Sequence, residues 1–134
     1  MGTAIGVKSF VEEVSNAQLQ PNYWAERGKK LIDENYARLY GVEDICSLLG
    51  ISASYFLDVF CAAFNVSPKL YLTLVKIERA QVILKDSSRK VSEIGMMVGF
   101  RKRSAFERNF KGLLGVSPSG FRKLVSTGDF DTRK

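Results

Sequence analysis

The chain has no histidine among its 134 residues, and it has only two cysteines, Cys46 and Cys61. Histidine is the commonest general base and a common metal ligand, so its absence argues against hydrolytic and metal-dependent chemistry. Two isolated cysteines cannot hold a structural zinc ion, and we expect both to be reduced, buried, small apolar residues. No glycine-rich phosphate loop and no nucleophile-elbow motif occurs. We therefore predict that the protein is not an enzyme and has no cofactor or metal.

Long apolar runs are also missing. The longest extend over only a few residues, too short for a membrane-spanning helix, and residues 1–16 lack the apolar core of a secretion signal. These absences predict a cytoplasmic protein with no membrane partner. Apolar residues still make up 46% of the chain and charged residues 25%, so most of it should fold around one core or two small ones.

Charge is divided unevenly along the chain. Residues 1–66 hold 5 basic and 8 acidic residues, a net charge of −3, whereas residues 67–134 hold 15 basic and 6 acidic residues, a net charge of +9. A concentrated basic half is typical of proteins that bind a polyanion, most often nucleic acid.

Helical periodicity predicts about seven helices and no strand. Apolar stripes bounded by glycine, asparagine and Ser-Pro signals place the helices at 22–40, 42–49, 53–64, 68–86, 91–98, 102–114 and 118–125. Gly41 is predicted to end the first of them, and a further short helix is expected at 8–20. The helix at 68–86 has no breaker and should span roughly 27 Å at 1.5 Å per residue.

One segment of the chain is repeated. Residues 50–68 read GISASYFLDVFCAAFNVSP, and residues 99–118 read GFRKRSAFERNFKGLLGVSP. The shared positions are nearly all apolar, capping or stop residues, so the repeat preserves a fold: a short helix, a glycine-containing turn and a longer helix. We predict an all-α protein with two helix-turn-helix subdomains joined by a long connecting helix. The predicted division is a leader or linker at 1–21, subdomains at 22–66 and 87–125, the connecting helix at 67–86 and a flexible tail at 126–134.

The buried face of the second repeat can be predicted from its spacing. Aromatic and aliphatic residues at helical intervals form one stripe. The predicted core residues are Ile94, Val98, Phe100, Phe106, Phe110 and Phe121. Met96 and Met97 are also expected to pack inside rather than to contact a ligand.

The stretch VSEIGMMVGFRKRSAFERNFKGLLGVSPSGFRK, residues 91–123, resembles the DNA-binding domain of the AraC/XylS family of bacterial transcription regulators. The family pattern has Ile-Ala before a Gly-Phe turn, then Ser-x-Phe-x-Arg-x-Phe-Lys, Gly-x-Ser-Pro and an aromatic-Arg pair. Gly95 departs from this pattern by replacing the alanine. With KIERAQVIL at 76–84 matching the connecting helix, the resemblance covers roughly residues 22–125.

The resemblance implies that the second helix of each unit enters the major groove of double-stranded DNA. In the second unit, the candidates for base contact are Arg103, Ser104, Glu107 and Arg108. The candidates for phosphate contact are Arg101, Lys102, Lys111, Arg122 and Lys123. Ser104 and Glu107 have the spacing of a capping box as a rival role, and Glu107 either reads a cytosine amino group or pairs with Arg103 or Lys111.

The first unit presents a different set of residues at the equivalent positions. These candidates are Ala53, Ser54, Leu57 and Asp58, and Asp58 stands where the second unit has Arg108. Three interpretations remain open. The first unit docks on DNA through Ser54 and Leu57; or it has become a structural or protein-contacting module; or the register of the repeat is wrong.

The predicted function is sequence-specific binding of double-stranded DNA and regulation of transcription through the major groove, with the second unit dominant. The alternative is a protein-interaction module that contacts RNA polymerase or a second protomer and binds DNA weakly. The resemblance implies a bacterial regulator, with an effector-sensing or dimerising domain elsewhere in a parent chain. Activation is the working expectation, although the residues themselves do not distinguish an activator from a repressor.

Overall fold

The computed structural model describes residues 21–127. All the secondary structure in that part of the chain is helical, with no strand among residues 21–127. A 3-10 helix, Tyr36–Arg38, follows the first of seven α-helices. The α-helices are α1 Pro21–Asn35, α2 Val42–Leu49, α3 Ala53–Phe64, α4 Pro68–Asp86, α5 Val91–Met97, α6 Arg103–Leu114 and α7 Pro118–Thr127. The predicted all-α fold class is confirmed. The leader helix predicted at 8–20 and the tail residues 128–134 lie outside the described residues.

The helix boundaries follow from local capping chemistry. The Ser52 hydroxyl accepts a hydrogen bond from the Tyr55 amide at 3.2 Å, and the Ser67 hydroxyl accepts one from the Leu70 amide at 3.1 Å. Pro68 then occupies the first turn of α4, where a missing N–H costs nothing. Asn65 ends α3 in the left-handed conformation, with φ of 60°.

The end of the first helix differs from the prediction. The α-helix stops at Asn35, and the 3-10 helix completes the turn. Gly41 does not end this helix; it has an extended φ of −173° and precedes α2 as its N-cap. The sequence pattern did not reveal the break, because Tyr36 and Leu39 continue the apolar stripe of α1.

Two apolar cores lie along α4, one against each half of it. The first joins α1, α2 and α3 to Leu72, and the second joins α5, α6 and α7 to Ile77, Ala80 and Leu84. We call the 3-10 helix together with α1, α2 and α3 the first unit, and α5, α6 and α7 the second unit. The connecting helix is therefore part of both cores.

Most of the core prediction for the second unit is confirmed. The buried members are Ile94, Val98, Phe106, Phe110 and Phe121, and Phe100 is half-buried against them. The prediction for the two methionines was wrong. Met96 is 71% exposed and Met97 is 43% exposed, because both lie on the side of α5 that faces away from α6 and α4.

Gly95 has a packing role that explains the departure from alanine. A Cβ atom at this position would lie 2.8 Å from Cδ2 and 3.0 Å from Cγ of Phe106, closer than carbon atoms pack. The glycine therefore lets the buried ring of Phe106 rest on the backbone of α5. Gly28 in α1 likewise leaves room for the Phe56 ring of α3 to pack against the helix backbone.

No single helix between residues 21 and 127 has the length and apolar character needed to cross a membrane. The pair Val42–Leu49 and Ala53–Phe64 meets those two criteria only when taken together, and it is bent by 100° at the break between them.

Candidate nucleic-acid interface

Helix α6 has one buried face and one exposed face. Phe106 and Phe110 are fully buried, and at 100° per residue Ser104, Arg108 and Lys111 lie on the opposite, exposed side of the helix. The other two predicted residues lie nearer the aromatic side: Arg103 is exposed in the first turn, and Glu107 is half-buried at the edge of the packed face. A basic, hydrogen-bonding surface is thus held rigidly by aromatic packing behind it.

Arg103 and Glu107 form an ion pair one helical turn apart. Arg103 Nε donates to Glu107 Oε2 at 2.6 Å, and the two side chains are 62% and 41% exposed. Of the alternatives for Glu107, this pairing is the one present in the free protein. The capping box of Ser104 with Glu107 was wrong, because Lys102 is the N-cap residue and Ser104 lies inside the helix. An exposed ion pair contributes little stability and can open at little cost.

The turn before α6 adds further basic residues. The Arg101 guanidinium stacks over the Tyr40 ring at 4.1 Å, and Lys102 is exposed beside it. Arg101, Lys102 and Arg108 line one open cleft of about 740 Å³ between the two units, and Lys69 of α4 lines it as well. Three of the predicted residues are therefore brought together with a basic residue that the sequence analysis did not select.

Arg122 has a structural role that the sequence analysis missed. Its Nε donates to the Leu84 carbonyl at 3.2 Å and one terminal nitrogen donates to the Ser87 carbonyl at 3.0 Å, so it caps the C-terminal end of α4. A guanidinium engaged in this way has fewer donors left for a phosphate. Lys123, the neighbouring candidate, is exposed on α7.

The first unit presents its candidates at matching helix positions. Asp58 is the sixth residue of α3 as Arg108 is the sixth of α6, so the 50-residue register of the repeat is correct. The exposed residues of this face are Ala53, Ser54, Leu57 and Asp58. Leu57 is 45% exposed, so the surface is apolar and acidic where that of α6 is basic.

Lys76 is the principal residue that the sequence analysis overlooked. It lies in the middle of α4 and is only 4% exposed. The pKa of Lys76 is lowered to about 8, chiefly because burial removes the hydration of the ammonium group; the charge of Asp44 partly opposes this shift, and that of Arg101 adds to it. A signal for it was present, because Leu72, Lys76 and Ala80 fall four residues apart on the otherwise apolar face of α4.

The cysteines are not paired with each other. Cys46 is buried and Cys61 is half-buried, and burial, together with the charge of Glu43, raises the pKa of the Cys46 thiol. Among residues 21–127, no three histidine, cysteine or acidic side chains are grouped so that they could hold a metal ion.

Two helix-turn-helix units on a shared helix, with a basic exposed face on α6, define a DNA-binding domain of the double helix-turn-helix class. A family model described as a helix-turn-helix domain, of the AraC type, matches residues 45–124. The chain therefore belongs to the AraC-type helix-turn-helix family.

Comparison with individual proteins agrees with this assignment. The chain is 38% identical over 97 residues to the Msm operon regulatory protein of Streptococcus mutans, covering 72% of this chain and 35% of that protein. The C-terminal domain of AraT, a response regulator from Geobacillus stearothermophilus, superposes with a TM-score of 0.70 at 24% identity, covering 75% of this chain and 84% of that domain. The DNA-binding domain of AdpA, crystallised with a target DNA, gives 0.69 at 24% identity, covering 74% and 89%. These relatives are regulators and not enzymes, as the sequence predicted.

Proposed function

We propose that this chain binds double-stranded DNA sequence-specifically by placing α6 in the major groove, and that it regulates transcription through this binding. The observation that carries the proposal is the exposed basic face of α6, fixed by Phe106 and Phe110 on its buried side. A helix supported in this way can present its side chains to base edges without rearranging. The similarity in fold to a domain crystallised with DNA supports the same function.

Arg103 and Arg108 are the residues that we assign to base recognition. Each is exposed on α6, and an arginine can donate two parallel hydrogen bonds to guanine O6 and N7. Ser104 would bond a base or a phosphate. Glu107 would accept from a cytosine amino group once Arg103 releases it.

Phosphate contacts would come from the rim of the cleft and from the end of α6. Arg101, Lys102 and Lys111 are exposed there, and Lys69 adds a basic side chain from the connecting helix. Such contacts orient a protein on DNA without reading its sequence.

The second unit would dominate recognition. In α3 the position of Arg108 is taken by Asp58, whose carboxylate is repelled by the phosphate backbone. Ser54 and Leu57 can still contact a phosphate or a thymine methyl group. The first unit would therefore help to orient the protein on DNA while adding little to the binding affinity.

The chain spans about a third of the length of the curated relatives that it matches, between 31% and 35% for the Msm, raffinose and melibiose operon regulators. We propose that an effector-sensing or dimerising domain accompanies it in a parent protein, and that RNA polymerase is a partner at the promoter.

The test begins with selection of a binding site from a randomised duplex pool. Affinity for the selected duplex is then measured for Arg103→Ala and Arg108→Ala, which should each weaken specific binding by about 1–3 kcal/mol and relax preference at one base position. Arg27→Ala is the matched control, since it removes the same charge from an exposed position on α1. Binding by both α6 variants as tight as that of the control would refute the assignment.

A second candidate function rests on the exposed surface of α3. Leu57 and Asp58 there form an apolar and acidic face that is better suited to a protein partner than to DNA. If protein contact were the whole function, a titration on duplex DNA at two salt concentrations would show only weak binding with no sequence preference. Salt-sensitive, sequence-dependent binding would reject it as the sole function.

A further inference from the structure

The two units touch each other directly as well as through α4. Gly99, in the turn before α6, has a φ of +101°, which favours glycine. A Cβ atom there would lie 2.9 Å from the Ala37 carbonyl oxygen and 3.0 Å from that of Tyr36, both in the 3-10 helix. The backbone of the second-unit turn is therefore in contact with the backbone of the first unit.

Lys76 bonds to both sides of this contact. Its Nζ donates to the Leu39 carbonyl and to the Gly99 carbonyl, each at 2.6 Å. Leu39 follows the 3-10 helix in the first unit, and Gly99 belongs to the second. The rings of Tyr40 and Phe100 lie 5.4 Å and 5.3 Å from the same ammonium group, one from each unit.

Stability alone does not account for a lysine at this position. A buried ammonium loses its hydration, and an apolar residue of similar volume often costs less there. What the lysine provides is a compact donor that can hold two carbonyl oxygens at a fixed separation with short, charge-assisted hydrogen bonds. Those carbonyls belong to different units, so their separation determines how the units are placed.

We infer that Lys76 is a positioning residue that fixes the second unit, and with it α6, relative to the first. It touches no DNA in this assignment and acts through the Leu39 and Gly99 carbonyls. The consequence for DNA, which rests on the proposed function, is that Lys76 determines the spacing between the base pairs that α3 and α6 can reach.

The test measures the placement of the units without DNA. Spin labels are attached at Ser54→Cys and Ser104→Cys, both on exposed helix surfaces, in a chain whose Cys46 and Cys61 have been replaced by alanine and serine. Pulsed dipolar spectroscopy should give one narrow distance distribution for this parent. Lys76→Met should make it roughly twofold broader or shift its maximum, as a loosened hinge does.

Lys85→Met is the matched control, because Lys85 is exposed on the same helix and its variant should keep the parent distribution. If Lys76→Met gives the same distance distribution as the parent, the inference is overturned. If Lys76→Met loses cooperative unfolding by circular dichroism, Lys76→Arg replaces it. The longer guanidinium keeps the charge but should shift the distance maximum, and an unshifted maximum in a folded Lys76→Arg would also overturn the inference.

The DNA consequence is tested separately, by repeating the pool selection with the folded variant. Lys76→Met should bind the wild-type site about tenfold more weakly and accept more than one spacing within the site. Identical affinity and spacing would refute this consequence. Failure of all DNA binding in the wild type would refute the proposed function and leave the distance result unaffected.

Discussion

Lys102 and Arg103 stand at the N-terminal end of α6, and the first turn of this helix has no acidic residue. The helix macrodipole places partial positive charge at that end, so basic side chains there cost the isolated helix roughly 0.3–1 kcal/mol each. The pairing of Arg103 with Glu107 offsets part of this cost in the free protein. These basic side chains are unfavourable for the helix but favourable for contact with a phosphate or a guanine. Local conflicts of this kind are expected at a binding surface.

The pH dependence of stability should reveal the buried ammonium of Lys76. Its pKa is about 8 in the folded protein against an ordinary value of 10.5, so between those values the unfolded chain binds one more proton. Stability from this group is lowest below pH 8 and recovers as pH rises, by up to about 1.4 kcal/mol per pH unit. Urea unfolding of wild type and Lys76→Met at pH 7, 8, 9 and 10 measures this.

The pKa values of Cys46 and Tyr71 are raised, chiefly by burial, but this holds in both proteins, so their contributions cancel in the difference. The free energy of unfolding of wild type minus that of Lys76→Met should rise only slightly from pH 7 to 8 and more steeply from 8 to 10. A level difference across the whole range would contradict the depressed pKa.

Asp58 offers a charge-reversal experiment on the first unit. Because its carboxylate is exposed on α3 at the position that Arg108 occupies on α6, Asp58→Arg should bind duplex DNA more tightly, at least without regard to sequence. Fluorescence anisotropy on selected and scrambled duplexes measures the gain. Weaker binding would show instead that Asp58 makes a useful contact.

At the scale of the helices, α5 and α6 are held together by the contact between Gly95 and Phe106. The usual benefit of replacing a helical glycine by alanine is about 1 kcal/mol. At Gly95, however, the added methyl group would clash with the fully buried side chain of Phe106. Overpacking of that kind costs about 1–3 kcal/mol and opposes the gain in helix propensity.

Two glycine substitutions in the same unit should therefore have opposite effects. Gly95→Ala should lower the free energy of unfolding, by up to about 2 kcal/mol. Gly112→Ala, on the exposed side of α6 where nothing lies within 4 Å, should raise it by about 0.5–1 kcal/mol. Thermal unfolding of the two variants compares them, and stabilisation by Gly95→Ala would show that Phe106 can move aside.

The elements could be predicted from the sequence because their signals are local. Ser-Pro starts, glycine stops and aromatic pairs four residues apart placed six of the seven helices within about two residues. The contacts of Lys76 and Arg122 could not be predicted in this way. Each reaches carbonyl oxygens more than 20 residues distant, and nothing in a neighbouring residue indicates that. The exposed face of α6 followed from the helical period, but the Arg103–Glu107 pair was one of several alternatives.

For the molecule as a whole, the basic surface predicts a strong dependence of DNA binding on salt. About four phosphate contacts, from Arg101, Lys102, Lys111 and Lys69, would give a slope of roughly −4 for the logarithm of the affinity against the logarithm of salt concentration.

Lys111→Ala should reduce the magnitude of that slope by about 1 while leaving base preference unchanged, because a phosphate contact carries no sequence information. Titrations at four salt concentrations with wild type, Lys111→Ala and Arg27→Ala provide the comparison. An equal slope for wild type and Lys111→Ala would remove Lys111 from the interface.

The two units repeat along the chain in one order, and they differ in charge at equivalent positions of α3 and α6. A single copy of this chain therefore has no two-fold symmetry. Its two orientations on DNA would not be equivalent, so its site would be an asymmetric sequence rather than a palindrome. Inverting that site at a promoter would exchange the positions of α3 and α6 relative to the start of transcription.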